Sequence, residues 1–151
     1  MRAADLLVKC LEKEKVKYVF GLPGEEVLSL LDALSYSNIQ FIPTRHEQGA
    51  AFMANMVGRL TGKPGVCMAT LGPGSTNLMT GVADALLDYS PLVAITGQTD
   101  LSKTHKQAHQ YIDIREMFHP ITKWNSKITR PEVIPEMVRW AFKVAETEKP
   151  G

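Results

Sequence analysis

The chain has 151 residues, 44% of them hydrophobic, which is enough apolar surface for one domain with a sizeable core and little for two. Lys plus Arg number 17 against 16 Asp plus Glu, with no long run of either sign, so the charge pattern offers no footprint for nucleic acid or an anionic membrane. Cys10 and Cys67 are too few and too far apart for a disulfide framework or a metal cluster, and they read as reduced core residues of a cytoplasmic protein.

The opening stretch MRAADLLVKCLEKEKV interrupts its apolar positions with Asp5, Lys9, Glu12 and Lys13. It therefore lacks the unbroken apolar region of a signal peptide and the length of a membrane span. Leu6, Leu7, Cys10 and Leu11 recur at helical spacing and predict an amphipathic helix over 3–15. YVFG at 18–21 reads as a strand that ends in the turn LPGEE, and EVLSLLDALSYS resumes the helical period through Val27, Leu30, Leu31 and Leu34. The pattern then repeats. QFIPT at 40–44 precedes a helix from about Glu47, GVCMATL at 65–71 precedes STNLMTGVADALLDYS, and PLVAITG at 91–97 precedes a polar loop. Apolar strands joined by crossover helices are what a parallel sheet covered on both faces requires, so the expected class is a doubly wound α/β fold flanked by helices on both faces.

Beyond Gly97, QTDLSKTHKQAHQYIDIREMFHPITKW has weak periodicity and is long for a connection, which marks a functional loop. KWNSKI at 123–128 is a candidate fifth strand. From Arg130 a helix is expected to bury Ile134, Met137, Val138, Ala141 and Val144, with Pro131 and Pro135 near its start, where missing N–H groups matter least. There is no internal repeat and no low-complexity segment.

Three stretches are candidates for chemistry. TLGPGSTN at 70–77 is a glycine-rich turn between a strand and a helix that opens near Ser75 or Thr76. Its spacing fits neither a dinucleotide fingerprint nor a P-loop, so it is either a turn capped by Ser75 or a loop whose backbone touches a ligand. GLPGEE at 21–26 is a second turn of the same kind. RHEQGAAFMANMVGRLTG at 45–62 places Glu47 at the head of a helix, either as a solvated carboxylate that favours the helix dipole or as a partly desolvated one that shares a proton with a ligand nitrogen. The small, apolar continuation argues for embedding against neighbours or a partner subunit. Loops that follow parallel strands gather at one edge, so 21–26, 44–47 and 70–77 are expected to converge. His46, His105 and His119 read as structural or surface residues, and Met53, Met56, Met68 and Met79 as core packing.

RHEQGAAFMA, GKPGVCMATLGPGSTNL, GVADALLDYSPLVAITGQ and KPG, in that order, resemble the N-terminal pyrimidine-binding domain of thiamine diphosphate enzymes of the acetolactate synthase family, over almost the whole chain. The resemblance implies a six-stranded parallel sheet flanked by helices, with thiamine diphosphate held between this domain of one subunit and the diphosphate-binding domain of another in a homodimer. It implies that 1–151 is the front of a longer enzyme whose final strand, middle domain and Mg²⁺-holding diphosphate domain lie further on, so that the isolated domain is inactive. It casts Glu47 as the glutamate that hydrogen-bonds N1′ of the aminopyrimidine, and Gln110 as the glutamine that reaches substrate. Pro23, Pro73 and Asn77, with Gly24, Thr70 and Gly74 beside them, take the positions that line the pyrimidine pocket. The implied reaction decarboxylates pyruvate and joins the remainder to a second 2-oxo acid, in branched-chain amino acid biosynthesis or the acetoin pathway.

Two features depart from that pattern. Glu25 and Glu26 stand where biosynthetic members carry small residues, and His109 stands where they carry phenylalanine, which is more like the catabolic, flavin-independent branch and leaves FAD open. Pyruvate oxidases and 2-oxo acid decarboxylases share the glutamate and the Gly-Pro-Gly turn, and a non-catalytic α/β assembly module is the alternative from another class. A sheet edge left unpaired after Gly151 is expected to favour self-association.

Overall fold

The computed structural model describes residues 1–151. Four strands, β1 (Tyr18–Gly21), β2 (Gln40–Pro43), β3 (Gly65–Ala69) and β4 (Leu92–Thr96), form one parallel sheet in the order β2-β1-β3-β4. Val19 pairs with Phe41 on one side and Val66 on the other, and Cys67 pairs with Ala94. The switch in strand order falls at β1 and β3, where ligand crevices open in doubly wound sheets.

Helices cover both faces, as the strand chemistry demands. α1 (Ala3–Lys13), α2 (Leu28–Ser35) and α6 (Ile134–Glu146) lie on one face, and α3 (Glu47–Thr61), α4 (Pro73–Leu87) and the short α5 (Ile114–Phe118) on the other. Every residue of β3 is buried. Its side chains alternate between the two cores: Val66 and Met68 join Leu11, Leu30 and Phe142, while Cys67 and Ala69 join Ala50, Ala54 and Leu78.

The small residues of α3 let the backbones come close. Ala50, Ala51 and Ala54 are fully buried, and a Cβ added to Gly81 of α4 would stand 2.6 Å from that of Ala51. The polar end of this contact is tied by Asn55, whose amide donates to Asp84 at 2.6 Å, and by Arg59, which bridges to Asp88. No helix is long and apolar enough to cross a membrane.

Several expectations need correction, the first being that the sheet has four strands where the resemblance implied six. Residues 123–128 carry no ladder hydrogen bonds and form no fifth strand. A strand needs a neighbour at hydrogen-bonding distance, and here a cavity of about 710 Å³, lined by Ile95, Trp124, Ile128 and Phe142, lies between this segment and β4. Along that edge the Leu92 N–H is bound, by the carbonyl of Gly151 at 3.4 Å. Met53 and Met56 are 45% and 48% exposed on the outer side of α3, so of the four only Met68 is fully in a core, and Met79 packs, partly buried, against the core on the opposite face of the sheet. On α6 the buried face is Ile134, Val138, Phe142 and Ala145, one step round from the expected set.

Candidate functional site

The loops after β1, β2 and β3 meet at the carboxyl edge, as the topology requires. β2 ends at Pro43, and the chain turns through Thr44, whose backbone N–H is bound by the Gly21 carbonyl at 2.8 Å. α3 then opens with His46 as its N-cap: the imidazole Nδ1 accepts the Gln48 N–H at 3.1 Å, which assigns this histidine a structural task. Glu47 follows as the first residue of the helix. A carboxylate there is favoured by the free N–H groups of the first turn. It is nevertheless only 6% exposed, because its side chain turns in toward α4.

There the carboxylate is half-satisfied. Oε2 accepts from the Asn77 amide at 3.0 Å. Oε1 faces Gly74, where an added Cβ would lie 3.3 Å away, and it accepts no hydrogen bond from the chain. A buried carboxylate with a free oxygen is able to take a hydrogen bond from a ligand nitrogen.

α4 begins at Pro73 rather than at Ser75 or Thr76. Gly72 precedes it with φ 57°, in the left-handed region that favours glycine, and Pro73 fills the first helical position, where no N–H is needed. Ser75 is therefore not the cap; its hydroxyl donates to the Thr70 carbonyl at 2.6 Å. Thr70 stands between the two glycine turns: an added Cβ would come within 2.5 Å of its Cβ at Gly24 and 2.7 Å of its methyl at Gly74. Pro23 and Pro73 are exposed at the rim.

Gln110, on the long loop after β4, arrives at the same place. A Cβ on Gly72 would lie 2.5 Å from its carbonyl oxygen and 2.8 Å from its own Cβ. Gln110 holds φ at 55°, an uncommon value for a residue with a side chain. The loop is fixed by Gln98, whose amide donates to the Ile112 carbonyl at 3.0 Å. Glu47, Asn77, Gly74, Thr70, Gly24 and Gln110 thus form one linked set around the switch between β1 and β3. The large cavity beside β4 touches none of them and is a separate feature.

Two kinds of chemistry are absent from this edge. Cys67 lies fully buried in β3, and burial pushes its thiol up to about 12, so it holds no thiolate at neutral pH. No group of three or more His, Cys, Asp and Glu is placed to hold a metal ion. One participant was missed in the sequence: Thr70 donates its hydroxyl to Glu26, which had stood out only as a departure from a small-residue turn. A carboxylate directly after a strand-end Pro-Gly turn was the available signal.

A carboxylate and two glycine backbones grouped at a strand-order switch place the chain among the α/β domains that bind a ligand at the carboxyl edge of the sheet. Over residues 1–117 it matches the family described as thiamine pyrophosphate enzyme, N-terminal TPP binding domain, and it belongs to that family. It is 48% identical over 151 residues to the probable acetolactate synthase large subunit of Methanocaldococcus jannaschii, which covers 100% of this chain and 26% of that protein. It is 45% identical over 148 residues to the catabolic acetolactate synthase of Raoultella terrigena, covering 98% and 26%, and 43% identical over 150 residues to the acetolactate synthase of Bacillus subtilis, covering 99% and 26%. The chain spans about a quarter of the length of the curated relatives it matches.

Proposed function

We propose that residues 1–151 are the N-terminal thiamine diphosphate-binding domain of an acetolactate synthase that acts on pyruvate and a second 2-oxo acid. The observation that carries this reading is Glu47, 6% exposed, tied to Asn77 through one oxygen and free at the other. The residues present fit the cofactor's aminopyrimidine: a carboxylate for a ring nitrogen, and turns at Gly24 and Gly74 where a Cβ would fill the space against Thr70. When bound, thiamine diphosphate supplies a carbon nucleophile for the 2-oxo acid carbonyl and takes up the electrons left when carbon dioxide departs.

Glu47 holds or releases a proton at Oε1, the oxygen left open to a ligand, toward the ring nitrogen. Asn77 fixes the carboxylate so that Oε1 is the oxygen presented. Gly24, Thr70 and Gly74 shape the wall, Pro23 and Pro73 its rim, and Gln110 approaches from the loop after β4 to meet substrate. Pyruvate oxidation or simple decarboxylation would use the same residues; the acetolactate synthase names of the relatives favour carbon–carbon bond formation.

The remaining parts of the reading are supported more indirectly. Phe52, Met53, Met56 and Leu60 expose an apolar strip on α3, the helix that carries Glu47, which supports a homodimer with the site shared between subunits. The diphosphate and Mg²⁺ are assigned to a part of the enzyme outside 1–151. The groove beside β4, with the Gly151 carbonyl already on the Leu92 N–H, supports a further strand there. Two free cysteines suit a cytoplasmic enzyme. His109, exposed beside Gln110, favours the catabolic branch without FAD, and flavin absorbance in purified holoenzyme would overturn that branch.

Glu47→Gln in the holoenzyme tests the reading. Acetolactate formation from pyruvate is expected to fall by about 10²- to 10⁴-fold with the melting temperature retained. Retained activity with lost stability would reduce Glu47 to a helix-end carboxylate in a binding module.

A further inference from the structure

We propose that Glu26 is a positioning residue for the cofactor site, acting through Thr70; this rests on the reading of Glu47 given above. Thr70 is held at two points, its hydroxyl donating to Glu26 and its carbonyl accepting from Ser75 at 2.6 Å. Between these points its side chain is the spacer of the pocket wall. A Cβ on Gly24 would lie 2.8 Å from the Thr70 methyl, and one on Gly74 2.7 Å from the same methyl and 3.3 Å from Glu47 Oε1. The methyl therefore keeps the turn after β1 and the start of α4 at their separation, and the start of α4 is what Glu47 Oε1 faces.

A β-branched side chain has few staggered positions, so whatever binds the Thr70 hydroxyl also decides where its methyl points. Glu26 is that partner. Its carboxylate makes the bond charge-assisted, stronger than one between neutral groups. Its own place is set from a third loop: a Cβ on Gly97 would come 3.1 Å from Glu26 Cβ. Glu26 thus joins the loops after β1, β3 and β4 without itself reaching Glu47. Losing it frees the Thr70 hydroxyl to turn toward Gly24 or Gly74, and the two cofactor-facing turns lose their fixed spacing. The expected penalty falls on cofactor binding, because the site must then order itself as the ligand enters.

The test is a double-mutant cycle in the holoenzyme with Glu26→Ala, Thr70→Val and the pair, plus Glu26→Gln as the conservative variant. The readouts are the thiamine diphosphate concentration that half-restores activity to apoenzyme, the rate at saturating cofactor, and the melting temperature of the apoenzyme. Glu26→Ala is expected to raise the half-restoring concentration about tenfold, with a smaller change in the saturated rate. Glu26→Gln, whose amide oxygen accepts the same hydroxyl, returns it to within about twofold, and the double variant is no worse than the weaker single one. Wild-type cofactor affinity in Glu26→Ala, or effects of the two singles that multiply, would overturn the proposal while leaving the Glu47 reading intact. A shift in melting temperature alone, with cofactor affinity unmoved, would overturn it equally. A wild-type enzyme that takes up no thiamine diphosphate would sink the Glu47 reading and this one with it.

Discussion

Asn77, on α4, donates its side-chain amide to Glu47 at the head of α3 across 3.0 Å and a separation of 30 residues. The bond joins two helices that leave the sheet from different strands, and it fixes which oxygen of the carboxylate remains free. Asn77→Leu removes the one side-chain donor to a nearly buried carboxylate. The expected cost is about 1–3 kcal/mol in unfolding free energy. Asn77→Asp should cost more at neutral pH, since it sets two carboxylates against each other. Urea denaturation of the three proteins ranks them; an Asn77→Leu variant as stable as wild type would mean the bond contributes nothing.

Two glycines on facing helices should respond in opposite ways to the same substitution. Gly81→Ala drives a methyl to 2.6 Å from the Ala51 side chain and 3.0 Å from backbone, with nothing flexible to yield. The helices must separate, at a cost of about 1–3 kcal/mol. Gly49→Ala meets nothing within 4 Å, so the domain should gain up to about 1 kcal/mol from helix propensity. Thermal melts of the 151-residue chain check both signs, and destabilisation by Gly49→Ala would refute the open surroundings of that position.

The alternation of apolar runs with helical periods made the four parallel strands legible, because a strand covered by helices on both sides is apolar throughout, as β3 is, and each crossover buries one face. The convergence of 21–26, 44–47 and 70–77 followed from parallel topology alone, and it placed Glu47 at the carboxyl edge of the sheet. What periodicity does not report is whether an apolar position is covered. Met53 and Met56 therefore read as core, although their side of α3 faces outward. Nor does a short stretch such as KWNSKI, with only Trp124 and Ile128 apolar, announce whether it has a neighbour, so 123–128 read as a strand without one. The Glu47–Asn77 bond and the Glu26–Thr70 bond span 30 and 44 residues, beyond any local pattern.

The two thiols should differ in reactivity. Burial pushes Cys67 up to about 12 and raises Cys10 as well, but Cys67 is sealed within β3 whereas Cys10 is partly accessible on α1. At mildly alkaline pH a thiol reagent should modify Cys10 slowly and Cys67 only on unfolding, since thiolate fraction and access both limit the reaction. Counting thiols with and without denaturant tests this. Rapid labelling of Cys67 in the native chain would show that the centre of the sheet opens readily.

The isolated 151-residue chain should associate with itself and bind thiamine diphosphate poorly. Both follow from surfaces left open. The strip Phe52, Met53, Met56 and Leu60 has nothing over it, and the outer side of β4 offers unpaired backbone groups past Leu92. On the proposed reading, Glu47, Asn77 and the glycine turns would meet only the aminopyrimidine end of the ligand, and no group of three or more His, Cys, Asp and Glu is placed to hold its metal ion. Sedimentation velocity over a wide concentration range should show growing species, and Met56→Glu with Leu60→Glu should suppress them if α3 is the contact. Persistence in that variant would assign the contact to the edge of β4. A strictly monomeric wild type would refute both surfaces as association sites. Calorimetry with thiamine diphosphate should give a dissociation constant well above about 1 μM, because a site that contacts one end of a ligand recovers little of the roughly −8 kcal/mol that micromolar affinity needs. Micromolar binding, or acetolactate made from pyruvate by this chain alone, would refute the proposed sharing of the cofactor site with a second subunit.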